Sequence, residues 1–185
     1  MPGLVAALSM VVGRKGDAQL AVRLSDLRSG ETVVDLGCGP GVAVRYAARM
    51  GALATGVDPA AVMLRIARLL TRSSAKVHYV EGAAEAIPMP DRSASAVWSI
   101  ATVHHWSDIE VGLREVCRLL LPGGRLVALE RRAHRGARGL ESHGWTDEQA
   151  TAFADRCREH GLTDVRLERT TIGRRSTIGV VASAP

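Results

Sequence analysis

Aromatic side chains are scarce in this chain of 185 residues: three Trp, two Tyr and one Phe, or 3%. A core must then be built from Val, Leu, Ile and Ala, which an apolar content of 46% supplies. So few aromatic faces also offer little platform for stacking nucleobases. Cysteine is scarce too. Cys38, Cys117 and Cys157 stand apart, with no C-x-x-C and no histidine at ligand spacing. That excludes a disulfide framework or zinc site and points to a reduced, cytoplasmic setting. Apolar runs as long as a membrane span are missing. The opening MPGLVAALSMVVG lacks a basic start and a cleavage site, so a packed N-terminal helix is expected there and not a signal peptide. Lysine is nearly absent, and the net charge of +5 is carried by arginine. That charge admits an anionic partner but does not by itself indicate nucleic acid.

One domain, residues 1–185, is expected on length. Short apolar strands alternate with helical patterns. Strands are predicted at 32–36, 52–57, 76–81, 94–100, 125–130, 164–169 and 176–182. Helices are predicted at 17–27, 42–50, 59–71, 109–121 and 147–160. Such alternation specifies an α/β, doubly wound, mostly parallel sheet of about seven strands. The short segment around Gly173 predicts a hairpin that adds one antiparallel C-terminal strand. Pro59 suits the first turn of a helix, Ser107 with Glu110 and Thr146 with Gln149 read as capping boxes, and Pro122-Gly123-Gly124 reads as a helix stop.

The stretch VVDLGCGPG at 33–41 joins the first strand to a loop with three glycines. Asp58 follows at a strand end about 20 residues on, where an acid can accept ribose hydroxyls. A dinucleotide fingerprint would need a small residue at position 42, and Val42 stands there. A phosphate-binding loop would need Gly-Lys-Ser/Thr, which does not follow.

These residues, with GVDPAAVMLRIAR, EGAAEAIPMPD, ATVHHWSD and LREVCRLLLPGGRLVALE in consecutive order, resemble class I S-adenosylmethionine-dependent methyltransferases. The likeness is to the small-molecule branch that includes the ubiquinone and menaquinone biosynthesis enzymes. It implies a Rossmann-like sheet and S-adenosylmethionine as cofactor. Gly37, Cys38, Gly39 and Gly41 would lie against its methionine and ribose, with Asp35 near the ammonium. Asp58 would hold the ribose hydroxyls, and Pro59 and Met63 would bound the adenine. Ala83, Ala84 and Glu85 would meet the adenine edge, and the segment from Ser99 to Ala101 would offer a carbonyl to the ammonium. Two departures stand out. Ala83 replaces the family's usual aspartate, and Ser95-Ala96 replaces a usual Phe-Asp pair.

His104 and His105 follow the fourth strand, where an imidazole suits a general base at neutral pH or can orient the loop. Trp106 could wall a substrate pocket or anchor the core. Glu130 could bind substrate or end its strand. The run RRAHRGARGLESHGW reads as a mobile basic loop, 131–145, whose arginines, Arg135 among them, suit an anionic acceptor. Residues 1–30 read as an N-terminal helical segment able to cover the cofactor. No metal is expected. The expected partner is a small-molecule methyl acceptor, with a homodimer open and neither membrane nor nucleic acid favoured. The fourth strand ends in SIAT, without the Asn/Asp-Pro-Pro-aromatic motif of amino-methylating nucleic-acid enzymes. Ala83 and Ala96 leave open a non-catalytic protein that keeps the fold. RNA methylation is a third reading.

Overall fold

The computed structural model describes residues 15–71, 74–133 and 144–185. Seven strands form one sheet in the order β3-β2-β1-β4-β5-β7-β6. In chain order the elements are α1 (Lys15–Leu24), β1 (Thr32–Leu36), α2 (Val42–Arg49), β2 (Leu53–Asp58), α3 (Ala61–Leu70) and β3 (Val77–Glu81). They continue with β4 (Ala94–Ile100), α4 (Ile109–Leu119), β5 (Leu120–Arg131), α5 (Asp147–Glu159), β6 (Thr163–Ile172) and β7 (Arg175–Ser183). The pairs β1–β2, β1–β4, β2–β3 and β4–β5 are parallel. β7 runs antiparallel to both neighbours, as the hairpin expectation required.

Central strands such as TVVDL and ASAVWSI are apolar on both faces because helices cover both sides. On one side Val33, Val44, Ala47, Leu64, Trp98 and Val181 join α1, α2 and α3 to the sheet. On the other, Val34, Leu113, Val116, Phe153 and Ile178 join α4 and α5 to it. Trp98 is fully buried, and its indole N–H donates to Ser25 Oγ at 3.3 Å. Trp145 and Phe153 are buried as well, while Tyr46, Tyr79 and Trp106 are half-buried. Residues 15–30 supply α1, which packs on α2 and the sheet. Among the described residues no helix is long and apolar enough to cross a membrane.

Three boundary expectations are corrected. Helix α4 is capped by Asp108, not Ser107: Asp108 Oδ1 accepts from the N–H groups of Glu110 (2.9 Å) and Val111 (3.1 Å). Helix α3 begins at Ala61, two residues after Pro59, because Asp58 Oδ1 takes the Ala60 N–H at 2.9 Å. Pro122-Gly123-Gly124 lies inside β5, in the register break between the Ala94–Leu120 and Ala96–Arg125 pairs. Gly123 carries φ 72° there. The Thr146–Gln149 capping box is present in full.

The cap correction is testable by urea unfolding. Asp108→Ala should cost about 1 kcal/mol of stability, whereas Ser107→Ala should change it by less than about 0.5 kcal/mol.

Candidate active site

In an open sheet of this kind, ligands sit outside the carboxyl ends of the strands where the order reverses, here between β1 and β4. The chain leaves β1 through Gly37, Gly39 and Gly41, which all adopt positive φ (68°, 52° and 74°). A side chain at Gly41 would also strike Tyr79, whose Oη would lie 2.2 Å from the added Cβ. The loop is held by the end of β2. Val57 O accepts from Gly37 N (2.8 Å) and Cys38 N (3.1 Å), and Asp58 Oδ2 accepts from Gly39 N at 2.7 Å. The Cys38 side chain is buried in the core beside Gly56, leaving its backbone to face the loop.

Asp35 and Asp58 are both buried, at the ends of adjacent strands. Pro59 is exposed and Met63 half-buried at the start of α3. Gly82 N donates to Asp58 O at 3.3 Å, which brings the loop after β3 alongside. In that loop Ala83 and Ala84 are half-buried, and Ala86 N closes a turn onto Ala83 O at 3.1 Å. Glu85 Oε1 accepts from the N–H groups of Ser107 (2.5 Å) and Asp108 (3.1 Å), so this carboxylate ties two loops together.

At the switch point lies a residue that sequence reasoning missed. Thr102 Oγ1 donates to Leu36 O at 2.9 Å and also contacts Ser99 Oγ at 2.7 Å. One hydroxyl has one proton, so Ser99 is the donor of the second bond. Thr102 thereby pins the end of β1 to the end of β4. Ala101, with φ 55°, donates to Leu129 O at 2.7 Å and ties β4 to β5. No local pattern in the sequence marks Thr102.

The next turn, Val103–His105, presents the histidines. His104 Nδ1 lies 3.1 and 3.0 Å from the two oxygens of Glu130, whose side chain is wholly buried at the end of β5. His105 is exposed, and its ring packs on His104 at 3.9 Å between centroids. Trp106 faces the other way. It packs against Gly112 and meets Phe153 edge-on at 6.2 Å, so it anchors α4 and α5. Arg135 lies outside the described residues. The described residues on either side of it are joined by hydrogen bonds from Trp145 N to Arg131 O (2.9 Å) and from Ala133 N to Trp145 O (2.8 Å). Arg132 there is already paired with Asp147. No group of three metal-ligating side chains occurs among the described residues.

The loop after β3 is also clamped from below. Glu115 Oε2 accepts from Ile87 N at 2.9 Å, and Arg118 donates to Ile87 O (3.0 Å) and Met89 O (2.8 Å). The Arg118 guanidinium holds the Glu115 carboxyl below its usual value, with the Ile87 N–H helping and partial burial opposing.

The comparisons with known proteins identify the family and the fold. The methyltransferase domain family matches residues 34–128, which run from β1 to β5. A demethylmenaquinone methyltransferase of Tropheryma whipplei is 34% identical over 110 residues, covering 60% of this chain and 46% of that protein. Among solved structures, a putative methyltransferase in complex with the Haloferax volcanii Trm112 methyltransferase activator superposes with a TM-score of 0.83 at 22% identity. It covers 97% of this chain and 94% of that one. Haemonchus contortus phosphoethanolamine N-methyltransferase 2, bound to phosphomonomethylethanolamine and S-adenosylhomocysteine, gives 0.77 at 16% identity, covering 91% and 52%. The chain belongs to the methyltransferase domain family, and its fold is the Rossmann-like fold of the class I enzymes. It spans about half the length of the curated relatives it matches.

The Glu115 clamp gives a pH prediction. A carboxyl held low in the folded state stabilises fully above its ordinary value of 4.5 and loses that contribution as pH falls through the lower folded value. The stability difference between wild type and Glu115→Gln, measured by urea unfolding, should therefore be flat at neutral pH and shrink in acid.

Proposed function

We propose that this protein transfers a methyl group from S-adenosylmethionine to a small-molecule acceptor. The observation that carries the reading is the pair of buried carboxyl groups, Asp35 and Asp58, at the ends of adjacent strands beside the glycine loop. An acid at the end of β1 suits an ammonium group and opposes a pyrophosphate. Asp58 uses one oxygen on Gly39 N and the other on Ala60 N. A carboxylate has about four acceptor sites, so both ribose hydroxyls can still be received. The residues present thus fit a ligand that combines a cation with a diol.

Asp35 would hold the ammonium, assisted by carbonyls of the segment 99–101, and Gly37, Gly39 and Gly41 would let the ligand lie on the backbone. Met63, Pro59 and the turn at Ala83–Ala84 would bound the adenine. Ala83 offers no side-chain acceptor to the adenine amino group, a difference worth about 0.5–1.5 kcal/mol or up to about tenfold in affinity. When bound, the cofactor supplies a methyl group already activated on a sulfonium. The protein's task is then to align the acceptor and keep water out. The Tropheryma relative's acceptor, demethylmenaquinone, supports a small molecule, and the arginines near position 135 suit an acceptor with an anionic group.

A second reading concerns assembly. The Haloferax neighbour is seen with an activator protein. In this chain Met50, Leu53, Leu69 and Leu70 are exposed near the amino ends of β2 and β3. These exposed apolar side chains support a partner chain; wild-type protein that runs as a monomer and turns over unaided would remove the need for one.

Titration calorimetry with S-adenosylmethionine and S-adenosylhomocysteine tests the main reading. Both should bind, and Asp58→Ala should weaken them by about 10- to 150-fold, from about 1.5–3 kcal/mol for hydrogen bonds to a charged group. Absence of binding at millimolar ligand would refute the cofactor. Binding without turnover of a broad acceptor panel would select the non-catalytic reading.

A further inference from the structure

On the far side of the glycine loop, α2, the end of α3 and the start of β3 enclose a hollow of about 300 Å³. That is the lower end of the range for small-molecule cavities. Arg45 and Arg49 line it with Leu70, Thr71, Ser74 and Val77, and no acidic side chain among the described residues does. Arg49 is exposed in the last turn of α2 and has no ion-pair partner among the described residues. A cation there suits the helix dipole, so Arg49 alone needs no ligand to explain it. Arg45 is different. It stands near the amino end of α2, where the dipole disfavours a cation, and it is half-buried. Its Nη1 donates to Pro40 O, inside the glycine loop, at 2.6 Å. A guanidinium has five N–H donors, so others remain for the hollow that the same side chain lines.

The carboxyl ends of α2 and α3 also face this region, but their carbonyls are occupied. Met50 N donates to Tyr46 O and Ala47 O, Gly51 N to Ala48 O, and Thr71 N and Oγ1 to Ala67 O. Ser74 Oγ accepts from Lys76 N at 3.3 Å and keeps its own proton to donate. We propose that this hollow binds a phosphate monoester bearing a small apolar group, and that its occupancy is felt in the glycine loop. Two guanidinium charges match a monoester, which carries about −1.5 to −2 near pH 7; a carboxylate or phosphodiester brings one. Leu70 and Val77 cover the apolar part. The path to the loop is short. A bound anion shares Arg45 with Pro40 O. Thr71 has given its proton to Ala67 O, so its hydroxyl accepts from Tyr79 Oη at 2.9 Å, and Tyr79 backs Gly41.

Calorimetry with phenyl phosphate as the probe tests the site. It should bind with a Kd of about 1 mM or tighter. Arg49→Gln, a change at an exposed side chain, should weaken it about tenfold or more. Benzoate, with the same ring and one charge, should bind about tenfold more weakly, and inorganic phosphate should also bind less tightly. No binding of phenyl phosphate at about ten times that concentration would overturn the site, as would unchanged affinity in Arg49→Gln. Benzoate or inorganic phosphate binding as tightly as phenyl phosphate would overturn the ligand class.

Proton–nitrogen NMR reads the link to the loop without any cofactor. Saturating phenyl phosphate should shift the Gly39 and Gly41 amides of the wild type. The shifts should vanish in Arg45→Lys, which lacks the fork needed to hold Pro40 O and the anion together. Amides that stay unmoved in wild type that binds the probe, or that shift equally in Arg45→Lys, would overturn the link. A last arm rests on the methyl-transfer reading above. A phosphate that steadies Arg45, and with it Pro40, should tighten S-adenosylmethionine about twofold or more, and the cofactor should tighten the phosphate by the same factor. Equal cofactor affinity with and without phenyl phosphate would also overturn the link. Failure of S-adenosylmethionine to bind under either condition would strike the preceding proposal instead, and leave calorimetry and NMR to judge the hollow.

Discussion

The site depends on how the last two residues of β2 hold the loop that leaves β1. Val57 offers one carbonyl to two consecutive amides, and Asp58 accepts a third from Gly39. Three backbone donors in a loop with left-handed glycines would otherwise be left to water or left unmet. Because the acceptors belong to the neighbouring strand, the loop's shape is fixed by sheet register and not by its own sequence alone. The ends of β1, β2 and β4 are then joined in turn, with Thr102 reaching back to Leu36 and Ala101 reaching across to Leu129. A ligand settling on this surface meets groups whose positions are already paid for by sheet formation.

Much of this was legible in the residues. Strand–helix alternation gave the doubly wound sheet, and two strands, Thr32–Leu36 and Ala94–Ile100, coincide with their expected bounds. The errors have local physical causes. Ser107 and Asp108 are both good caps, and one sequence cannot show that Glu85 draws the Ser107 amide away. Pro59 looked like a first-turn residue until Asp58 captured the Ala60 amide and moved the helix start. Pro122-Gly123-Gly124 read as a stop because a break in ladder register has no separate signature in single-chain patterning.

The candidate site divides in the same way. The location of residues on the first two strands and their loops could be read from spacing, because strand ends set it. Side chains beyond β4 could not. Trp106 turns toward Phe153, a partner 47 positions later in the chain, and Glu130 meets His104 across two strands. Such pairings are written in the tertiary fold, so the residue types could suggest polarity and size but not direction. Thr102 is the clearest case, since nothing distinguishes it from any threonine after a strand until its two oxygen partners are seen.

The insertion of β7 between β5 and β6 has a consequence for the order of assembly. During synthesis β6 emerges before the strand that will connect it to the sheet. It can pair with nothing in its final position until Arg175–Ser183 has followed and entered the gap beside β5. Five parallel strands can gather early around local βαβ units, while the last two must arrive as a hairpin. Until then β5 presents a raw edge next to Glu130. The emerging chain therefore carries an unpaired strand edge beside Glu130 until the closing strand covers it.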